Sequence, residues 1–209
     1  MSEQKISVFL VDDHSLVRRG FRRMLEDDPG LAVIGEAGDG HEAVEAVASL
    51  KPDVVVMDFA LPSMNGAVAT RRIRELSPKT AVLMLSMHEE ATYVRTCLEA
   101  GARGYLLKNA MDLELVSAVR KVAAGEQVLD PRLGRIAENS DPAPSLTTRE
   151  LEVLQLIVHG KSNKDIAVVL GLSANTIAVH RANIMQALGI HNTAELVVYA
   201  IRRGLVSIA

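Results

Sequence analysis

The chain has 209 residues, which is long for one small domain and sufficient for two, and hydrophobic residues make up 48% of it. Trp is absent and aromatic residues are 3%, so the cores are expected to be aliphatic, and a net charge of −3 by itself indicates no partner. The single Cys97 excludes an internal disulfide and predicts a reducing, cytoplasmic location. Neither a signal peptide nor an apolar run of membrane-spanning length is recognised.

The first part of the chain alternates apolar runs with amphipathic helical patterns. Strands are predicted at 6–11, 31–37, 54–58, 81–86 and 104–107, and helices at 15–25, 41–50, 67–76, 92–100 and 113–124. Five such units in succession predict a five-stranded parallel sheet, doubly wound with helices on both faces, because parallel strands need right-handed crossovers. This predicted domain covers residues 1–125.

The alternation then stops. Residues 126–145 contain three prolines and scattered charges, and they are predicted to form a linker with room for one short helix near 132–138. Residues 146–209 have a compact, all-helical pattern. Its predicted caps are the pairs Thr147/Glu150 and Ser162/Asp165, the N-caps Ser173 and Asn192, and the terminating glycines Gly160, Gly171, Gly189 and Gly204.

The charge is unevenly distributed between these parts. From Ser145 to the end there are six basic and four acidic residues, whereas the remainder has 17 basic and 22 acidic residues. An acidic first part suits a site for a cation, and a mildly basic second part suits a polyanionic partner.

Polar residues follow four of the predicted strands. The first strand ends in Asp12 and Asp13, the third in Asp58, the fourth in Ser86, and Lys108 follows the fifth. These strand ends meet at one edge of a doubly wound sheet, where such sheets bind ligands. Clustered carboxylates repel one another unless a cation neutralises them, and oxygen ligands alone favour Mg²⁺. A lysine and a hydroxyl in the same cleft suit a phosphoryl oxygen.

Each of these residues also has a purely structural interpretation. Asp58 alone would more often be a helix cap or turn residue, and Asp12 and Asp13 could cap a helix. Lys108 could be a solvated surface charge and Ser86 an ordinary hydroxyl. Their occurrence together favours the chemical interpretation.

The motifs VDDH, DFALPSMNG, LSM and GYLLK, in this order between residue 5 and about residue 125, resemble the receiver domain of two-component response regulators. The resemblance implies the strand order 2-1-3-4-5. It also implies that Asp58 is the nucleophile that accepts a phosphoryl group from a histidine kinase and forms an acyl phosphate. Mg²⁺ would be held by Asp13, Asp58 and the backbone carbonyl of Ala60, with Asp12 acting through a bound water.

The resemblance assigns the phosphoryl-sensing switch to three further residues. Lys108 would pair with the phosphoryl group, Ser86 would move to hydrogen-bond it, and Tyr105 would swing inward into the space that Ser86 leaves. From the residues alone, the less favoured alternative is that Tyr105 is a static, half-buried side chain.

Four positions depart from the commonest receiver pattern. Asn109 stands where many receivers have proline, which bears on a cis peptide there, and Met87 is bulky where a small residue often admits the phosphoryl donor. Ala60 and His88 occupy the positions that tune attack by water on the acyl phosphate. The small Ala60 is expected to shorten the lifetime of that acyl phosphate.

The segment SLTTRELEVLQLIVHGKSNKDIAVVLGLSANTIAVHRANIMQALGI resembles the four-helix, LuxR-type helix-turn-helix of the NarL/FixJ regulators, over about 146–206. The resemblance implies a scaffold helix near 163–170, a turn at 171–173 and a recognition helix near 174–188 that enters the major groove of promoter DNA. Without the resemblance, capped helices with a net charge of +2 would more readily suit a bundle that docks on a protein.

Helical geometry assigns the faces of the recognition helix. Ile177, Ile184 and Leu188 share the stripe that should face the core. The opposite face is uncharged and presents Asn175, Val179, Ala182 and Gln186, flanked by Ala178 and Asn183. The family usually has lysine at the Ala178 position, and its absence bears on the strength of binding because basic contacts to phosphate dominate affinity.

Other residues are left to contact the DNA. Phosphate contacts are predicted for Lys161, Lys164, Thr176 and Arg181. Asn175, Asn183 or Gln186 could read adenine edges and Val179 or Ala182 thymine methyls, which favours half-sites that contain A·T pairs. The last predicted helix, 194–203, carries Val197, Val198 and Ile201, which serve core packing and, by the resemblance, dimerisation.

The sequence therefore predicts a response regulator that becomes a DNA-binding homodimer on phosphorylation and is not itself an enzyme. One alternative is a Mg²⁺-dependent phosphatase, which usually has a second acid two residues after the nucleophile, whereas Asp58 is followed by Phe59 and Ala60. The other alternative is a receiver whose helical domain binds protein rather than DNA.

Overall fold

A computed structural model describes residues 5–62, 64–89, 91–109, 112–133, 146–203 and 205–206. The chain divides into two compact units, residues 1–139 and 140–209. The first unit contains β1 (Ile6–Val11), α1 (Ser15–Glu26), β2 (Leu31–Ala37), α2 (Gly40–Leu50), β3 (Val54–Asp58), α3 (Gly66–Leu76), β4 (Ala81–Ser86), α4 (Ala91–Glu99), β5 (Gly104–Leu107), α5 (Asp112–Ala123) and β6 (Val128–Leu129).

The strands form one parallel sheet in the order β2-β1-β3-β4-β5-β6. The five predicted strands and their order are confirmed, because long apolar runs between turn residues are typical of buried parallel strands. The sheet nevertheless has six strands rather than the predicted five. The two-residue β6 is too short to show a hydrophobic pattern, and its pairing with the edge strand β5 decides its place.

The sixth strand also changes the predicted linker. The predicted linker covers residues 126–145. In the structure, however, Val128 and Leu129 pair with β5, and one turn of 3₁₀-helix follows at 131–133. The first unit therefore extends beyond the predicted boundary at residue 125. The remainder of the short helix predicted near 132–138 lies outside the described residues.

The core of the first unit is aliphatic, as the composition predicted. The residues of β3 and β4 are buried throughout, so both faces of the central sheet are covered. The core on one face is completed by Leu25 of α1 and by Leu115, Val119 and Val122 of α5. Burial of such side chains supplies the main driving force for folding.

The register of the sheet aligns the polar residues that follow the strands. Val11 of β1 pairs with Met57 of β3, so Asp12 and Asp58 reach the same level. Ser86 at the end of β4 pairs with Leu107 of β5, and the N–H of the next residue, Lys108, donates to the Ser86 carbonyl at 2.8 Å.

The second unit contains α6 (Thr148–Val158), α7 (Asn163–Leu170), α8 (Ala174–Leu188) and α9 (Thr193–Arg202). The predicted scaffold helix, turn and recognition helix are confirmed at α7 and α8. Both predicted capping boxes form, and Ser173 and Asn192 cap α8 and α9. Gly160, Gly171 and Gly189 have positive φ angles of 73°, 64° and 65°, while Gly204 lies outside the described residues. Among the helices described, none combines the length and apolarity needed to span a bilayer.

The turn between β3 and α3 depends on Gly66. Asn65 is buried and caps α3 by accepting from the Val68 N–H at 2.8 Å, and the Gly66 N–H donates to the Phe59 carbonyl at 2.9 Å. A Cβ at Gly66 would lie 2.2 Å from the Asp58 carbonyl oxygen. Only glycine therefore allows α3 to begin this close to the end of β3.

We expect Gly66→Ala to lower the free energy of unfolding of the first unit by about 2 kcal/mol or more, because overpacking against backbone cannot be relieved by a rotamer change. Urea unfolding followed by circular dichroism measures the effect. The matched control is Gly20→Ala in α1, where an added Cβ meets no atom within 4 Å. That change should stabilise by about 0.5–1 kcal/mol, and equal effects at both positions would contradict this account of the turn.

Candidate functional site

Asp12 and Asp58 share one ammonium group at the carboxyl edge of the sheet. Lys108 Nζ donates to Asp12 Oδ2 and to Asp58 Oδ2, each at 2.7 Å. The two carboxylate side chains are 5% and 3% exposed and the lysine side chain is 13% exposed. Two buried negative charges are thus balanced by one positive charge, which leaves the cluster with an excess of negative charge.

The pKa values reflect this crowding. Burial raises the pKa of Asp58 to about 6, with a further contribution from the Asp12 charge, while Lys108 opposes both. Burial by itself would lower the pKa of Lys108, but the charges of Asp58 and Asp12 outweigh it and raise that pKa. Asp58 is therefore mainly ionised at neutral pH, at a cost that a further cation would remove.

Asp13 and His14 complete the acidic cluster. The His14 N–H donates to Asp12 Oδ1 at 2.9 Å. His14 Nδ1 lies 2.7 Å from Asp13 Oδ1, yet within the part of the chain that the structure describes this buried oxygen has no hydrogen bond of good geometry. One ligand atom from each of Asp12, Asp13, His14 and Asp58 lies within 4.8 Å of the others. This spacing and the carboxylate donors suit a divalent cation, with Asp13 Oδ1 still in need of a partner.

The structure brings together the three carboxylates that the sequence singled out. Ala60, the proposed carbonyl ligand, is adjacent, and its N–H donates to Asp58 Oδ1 at 3.3 Å. His14 was missed because a solvent-exposed histidine at the start of a helix has no metal-ligand spacing in the sequence. Its neighbours in VDDH are the only signal that could have identified it.

Ser86 and Tyr105 hold the backbone of the same residue. The Ser86 Oγ accepts from the His88 N–H at 3.1 Å, and the Tyr105 hydroxyl donates to the His88 carbonyl at 2.8 Å. The Tyr105 side chain is fully buried, so its ring already points inward in this structure. The loop after β4 is thereby held by two of the three residues to which the resemblance assigned a switch.

A group of aromatic rings extends from this loop to α4. The His88 ring stacks on Tyr93 with centroids 4.0 Å apart and an interplanar angle of 8°. Phe59, which directly follows Asp58, meets both rings edge-on at 5.8 Å and 5.1 Å. Phe59 is distant in sequence from the other two residues, so no local pattern predicted its contacts with them.

No cis peptide bond occurs among the residues that the structure describes, so the Lys108–Asn109 bond is trans. An asparagine at this position lacks the tertiary amide that makes a cis bond accessible to proline. With asparagine in place of proline at position 109, the preceding peptide bond is therefore an ordinary trans bond.

The predicted faces of the recognition helix are largely confirmed. Ile177 and Ile184 are fully buried, whereas Leu188 is only half-buried. The exposed residues of α8 include the whole predicted outward face, Asn175, Ala178, Val179, Ala182, Asn183 and Gln186. None of these side chains carries a charge, so this face of the helix presents hydrogen-bonding and apolar groups alone.

The predicted phosphate contacts differ in their availability. Lys161 and Lys164 are exposed. Arg181 donates through Nη2 to Thr193 Oγ1 at 3.0 Å, and the Thr176 hydroxyl lies 2.8 Å from the Ser173 hydroxyl. The two lysines are therefore the more accessible of the four.

The residues predicted to mediate dimerisation lie on α9. Val198 is 48% exposed, whereas Val197 and Ile201 are half-buried. Much of the apolar surface of this helix packs against the other helices of the second unit. Val198 is the most exposed of the three residues.

Comparison with known proteins identifies both units. Residues 8–120 match the response regulator receiver domain family, and residues 144–200 match the bacterial regulatory proteins of the luxR family. The oxygen regulatory protein NreC of Staphylococcus carnosus (strain TM300) is 38% identical over 214 residues, which cover 96% of this chain and 99% of NreC.

Solved structures agree with this similarity. A LuxR-family two-component response regulator from Aurantimonas sp. SI85-9A1 is 38% identical with a TM-score of 0.62, covering 64% of this chain and 96% of that chain. The response regulator RcsB in complex with DNA is 26% identical with a TM-score of 0.61, covering 94% and 98% respectively.

The raised pKa of Asp58 generates a prediction about stability. Between its ordinary value of 3.8 and about 6 the folded chain binds more protons at this carboxyl than the unfolded chain, so stability falls as the pH rises through that window. In buffer with EDTA, we expect Asp58→Asn to raise the free energy of unfolding by about 2 kcal/mol at pH 7.5 and by less at pH 5.

Urea titrations of both proteins at the two pH values measure this difference. A divalent cation is the control, since it should stabilise the wild type at pH 7.5 and leave the variant nearly unchanged. A gain in the variant that is the same at pH 5 and pH 7.5 would show that the cost of ionising Asp58 is not its cause.

Proposed function

This chain belongs to the two-component response regulators, with a receiver domain and a LuxR-type DNA-binding domain that regulates transcription, and we propose that phosphorylation of Asp58 by a histidine kinase switches it. The observation that carries the proposal is the shared contact of Lys108 Nζ with Asp58 and Asp12, each at 2.7 Å. It leaves a buried nucleophile next to a fixed positive charge. Phosphoryl transfer depends mainly on such positioning and electrostatic stabilisation.

The chemistry assigned to Asp58 is nucleophilic attack on phosphorus. A carboxylate oxygen of Asp58 forms a bond to the phosphorus of a phosphohistidine, and the P–N bond breaks. Its electron pair passes to the imidazole nitrogen, which takes up a proton, and an acyl phosphate remains on Asp58. Lys108, already paired with Asp58, then pairs with a phosphoryl oxygen.

We propose that the acidic cluster holds Mg²⁺. Asp13, Asp58 and the carbonyl of Ala60 would be ligands, with Asp12 acting through a bound water; when bound, the ion neutralises charge on the phosphoryl oxygens. The donors support a hard cation that prefers oxygen, since three of the four groups within 4.8 Å are carboxylates.

The switch is assigned to Ser86 and Tyr105. Ser86 would turn its hydroxyl to the phosphoryl group and so release the His88 N–H, while the Tyr105 hydroxyl still holds the His88 carbonyl. Any shift of this loop is passed to α4 through the stacked rings of His88 and Tyr93. A packed loop of this kind has discrete alternatives rather than continuous ones.

For the output domain we propose homodimeric binding to promoter DNA, with α8 in the major groove. Residues Asn175, Val179, Ala182, Asn183 and Gln186 would read bases, and Lys161, Lys164, Thr176 and Arg181 would contact phosphates. Pairing of two chains through α9, with Val198 at its centre and Val197 and Ile201 beside it, would join two half-sites and raise occupancy through effective concentration.

We assign the receiver and output roles to the two separate units. A receiver through about residue 133, a linker and an output domain at 146–209 would act together in the cytoplasm. Cys97 is buried, and burial raises the pKa of its thiol, which supports a packing role rather than a reactive one.

Incubation with acetyl phosphate and Mg²⁺ should add the mass of one phosphoryl group to the wild-type chain, as seen by intact-mass spectrometry. Asp58→Asn should add none, because it lacks the nucleophile. Asp53→Asn is a matched control, since Asp53 precedes the same strand and is exposed at its other end. Phosphorylation of the Asp58→Asn chain would refute the assignment, and steady release of phosphate from a phosphate ester would favour a phosphatase.

The uncharged outward face of α8 generates a second prediction. On a duplex selected by the wild type from a random library, Ala178→Lys should tighten binding and steepen the plot of log K against log salt by about one unit. The control is Ser49→Lys, which adds the same charge at an exposed position of α2.

Gel-shift titrations at several salt concentrations, with and without acetyl phosphate, measure this effect. An unchanged salt slope in Ala178→Lys would place that face away from phosphates. Selection of half-sites made of G·C pairs alone would contradict the predicted base contacts, and no DNA binding under any condition would indicate a protein partner.

A further inference from the structure

An ion pair between Asp130 and Arg132 fastens the end of β6 to the loop that carries Lys108. The Asp130 side chain is 0% exposed, and its Oδ2 accepts from the Leu107 N–H at 3.1 Å. The Asp130 N–H in turn donates to the Tyr105 carbonyl at 2.9 Å. The carboxylate is thus bonded to the residue immediately before Lys108.

Arg132 extends the same contact to the residue after Lys108. Its Nε and Nη2 donate to the two oxygens of Asp130 at 2.8 Å and 2.6 Å. Its remaining Nη1 donates to Asn109 Oδ1 at 2.5 Å. One arginine therefore joins the Asp130 carboxylate to the side chain of Asn109, and Lys108 lies between two held neighbours.

This arrangement is stiff for a physical reason. A guanidinium that binds both oxygens of a carboxylate fixes the relative orientation of the two planar groups. Arg132 is also the main reason that the pKa of Asp130 is lowered, so the carboxylate remains charged. Loss of Arg132 would leave the buried Asp130 carboxylate without its counterion, which is costly.

Asn109 gives the pair its second attachment. This residue stands where many receivers have proline, and proline would restrict the loop by its ring while offering no side-chain acceptor. The amide oxygen of Asn109 instead takes the third donor of Arg132. In this chain the loop is therefore restrained by a hydrogen bond from Arg132, which follows α5, rather than by a proline ring in the loop itself.

We propose that Asp130 and Arg132 are positioning residues that set Lys108 against Asp58 and couple the position of Lys108 to residues 128–133. The Lys108 N–H donates to the Ser86 carbonyl on β4, whereas Asp130 and Arg132 hold Leu107 and Asn109, on either side of Lys108, from the β6 side. When Lys108 moves toward a phosphoryl group, residues 128–133 then move with it. These are the last residues of the receiver that the structure describes. The inference rests on the proposed roles of Asp58 and Lys108.

A double-mutant cycle on the full-length chain tests the proposal. The initial rate of phosphorylation by acetyl phosphate with Mg²⁺ is measured by intact mass for the wild type, Asp130→Asn, Lys108→Met and the double variant. If Asp130 acts through Lys108, Asp130→Asn slows the wild type by about three- to tenfold but the Lys108→Met chain by less than about twofold. A purely structural role would give the same factor in both backgrounds.

Arg120→Ala is the matched control, because it breaks another Asp–Arg pair, with Asp28, at the end of α1. It should leave the rate unchanged. If Asp130→Asn fails to fold by circular dichroism, Arg132→Ala replaces it, since the arginine side chain is 44% exposed and its removal keeps the Asp130–Leu107 bond available.

The possible outcomes distinguish a failure of the positioning role from a failure of the proposed function. Equal factors in the two backgrounds, or no effect of either Asp130→Asn or Arg132→Ala, would overturn the positioning role and leave the proposed function intact. A Lys108→Met chain that is phosphorylated at the wild-type rate would remove the proposed role of Lys108, and this inference with it.

Discussion

The shared ammonium group of Lys108 is the interaction on which the site depends. Two carboxylates that are almost completely buried would repel each other strongly, and one lysine between them makes their burial tolerable. The same arrangement leaves the cluster with an excess of negative charge, because one ammonium group is shared by two carboxylates and Asp13 lies beside them. The site is therefore stable enough to persist, and its excess of negative charge is the basis on which we propose a Mg²⁺ site there.

The fold supplies this geometry by ending four parallel strands at one edge. The apolar runs of β3 and β4 are buried on both faces, so hydrophobic burial fixes their register, and the polar residues that follow them have little freedom. The start of α3 at Gly66 keeps the helix against the end of β3. Packing far from the charges thus fixes the position of the charges.

The two units differ in the way they use polar groups. In the receiver, buried charges are paired across strands, and an additional pair, Asp130 with Arg132, attaches β6 beside Lys108. In the output domain, capping side chains set the helix boundaries, while the outward face of α8 is uncharged. In the proposed complex, affinity for DNA would therefore come more from flanking lysines and from pairing of two chains than from charge on the recognition helix itself.

The sequence by itself determined the first five strands, their order by resemblance, the helix caps and the acidic cluster. Long apolar runs and capping-box spacings are local signals with one dominant physical interpretation each, whereas the acids at the strand ends gained theirs only from their occurrence together. Only the tertiary structure decided that β6 joins the sheet, that His14 lies in one cluster with Asp58, and that Arg132 reaches Asn109. These contacts connect short or irregular segments whose partners are set by the packing of the whole unit, so no periodicity in the sequence records them.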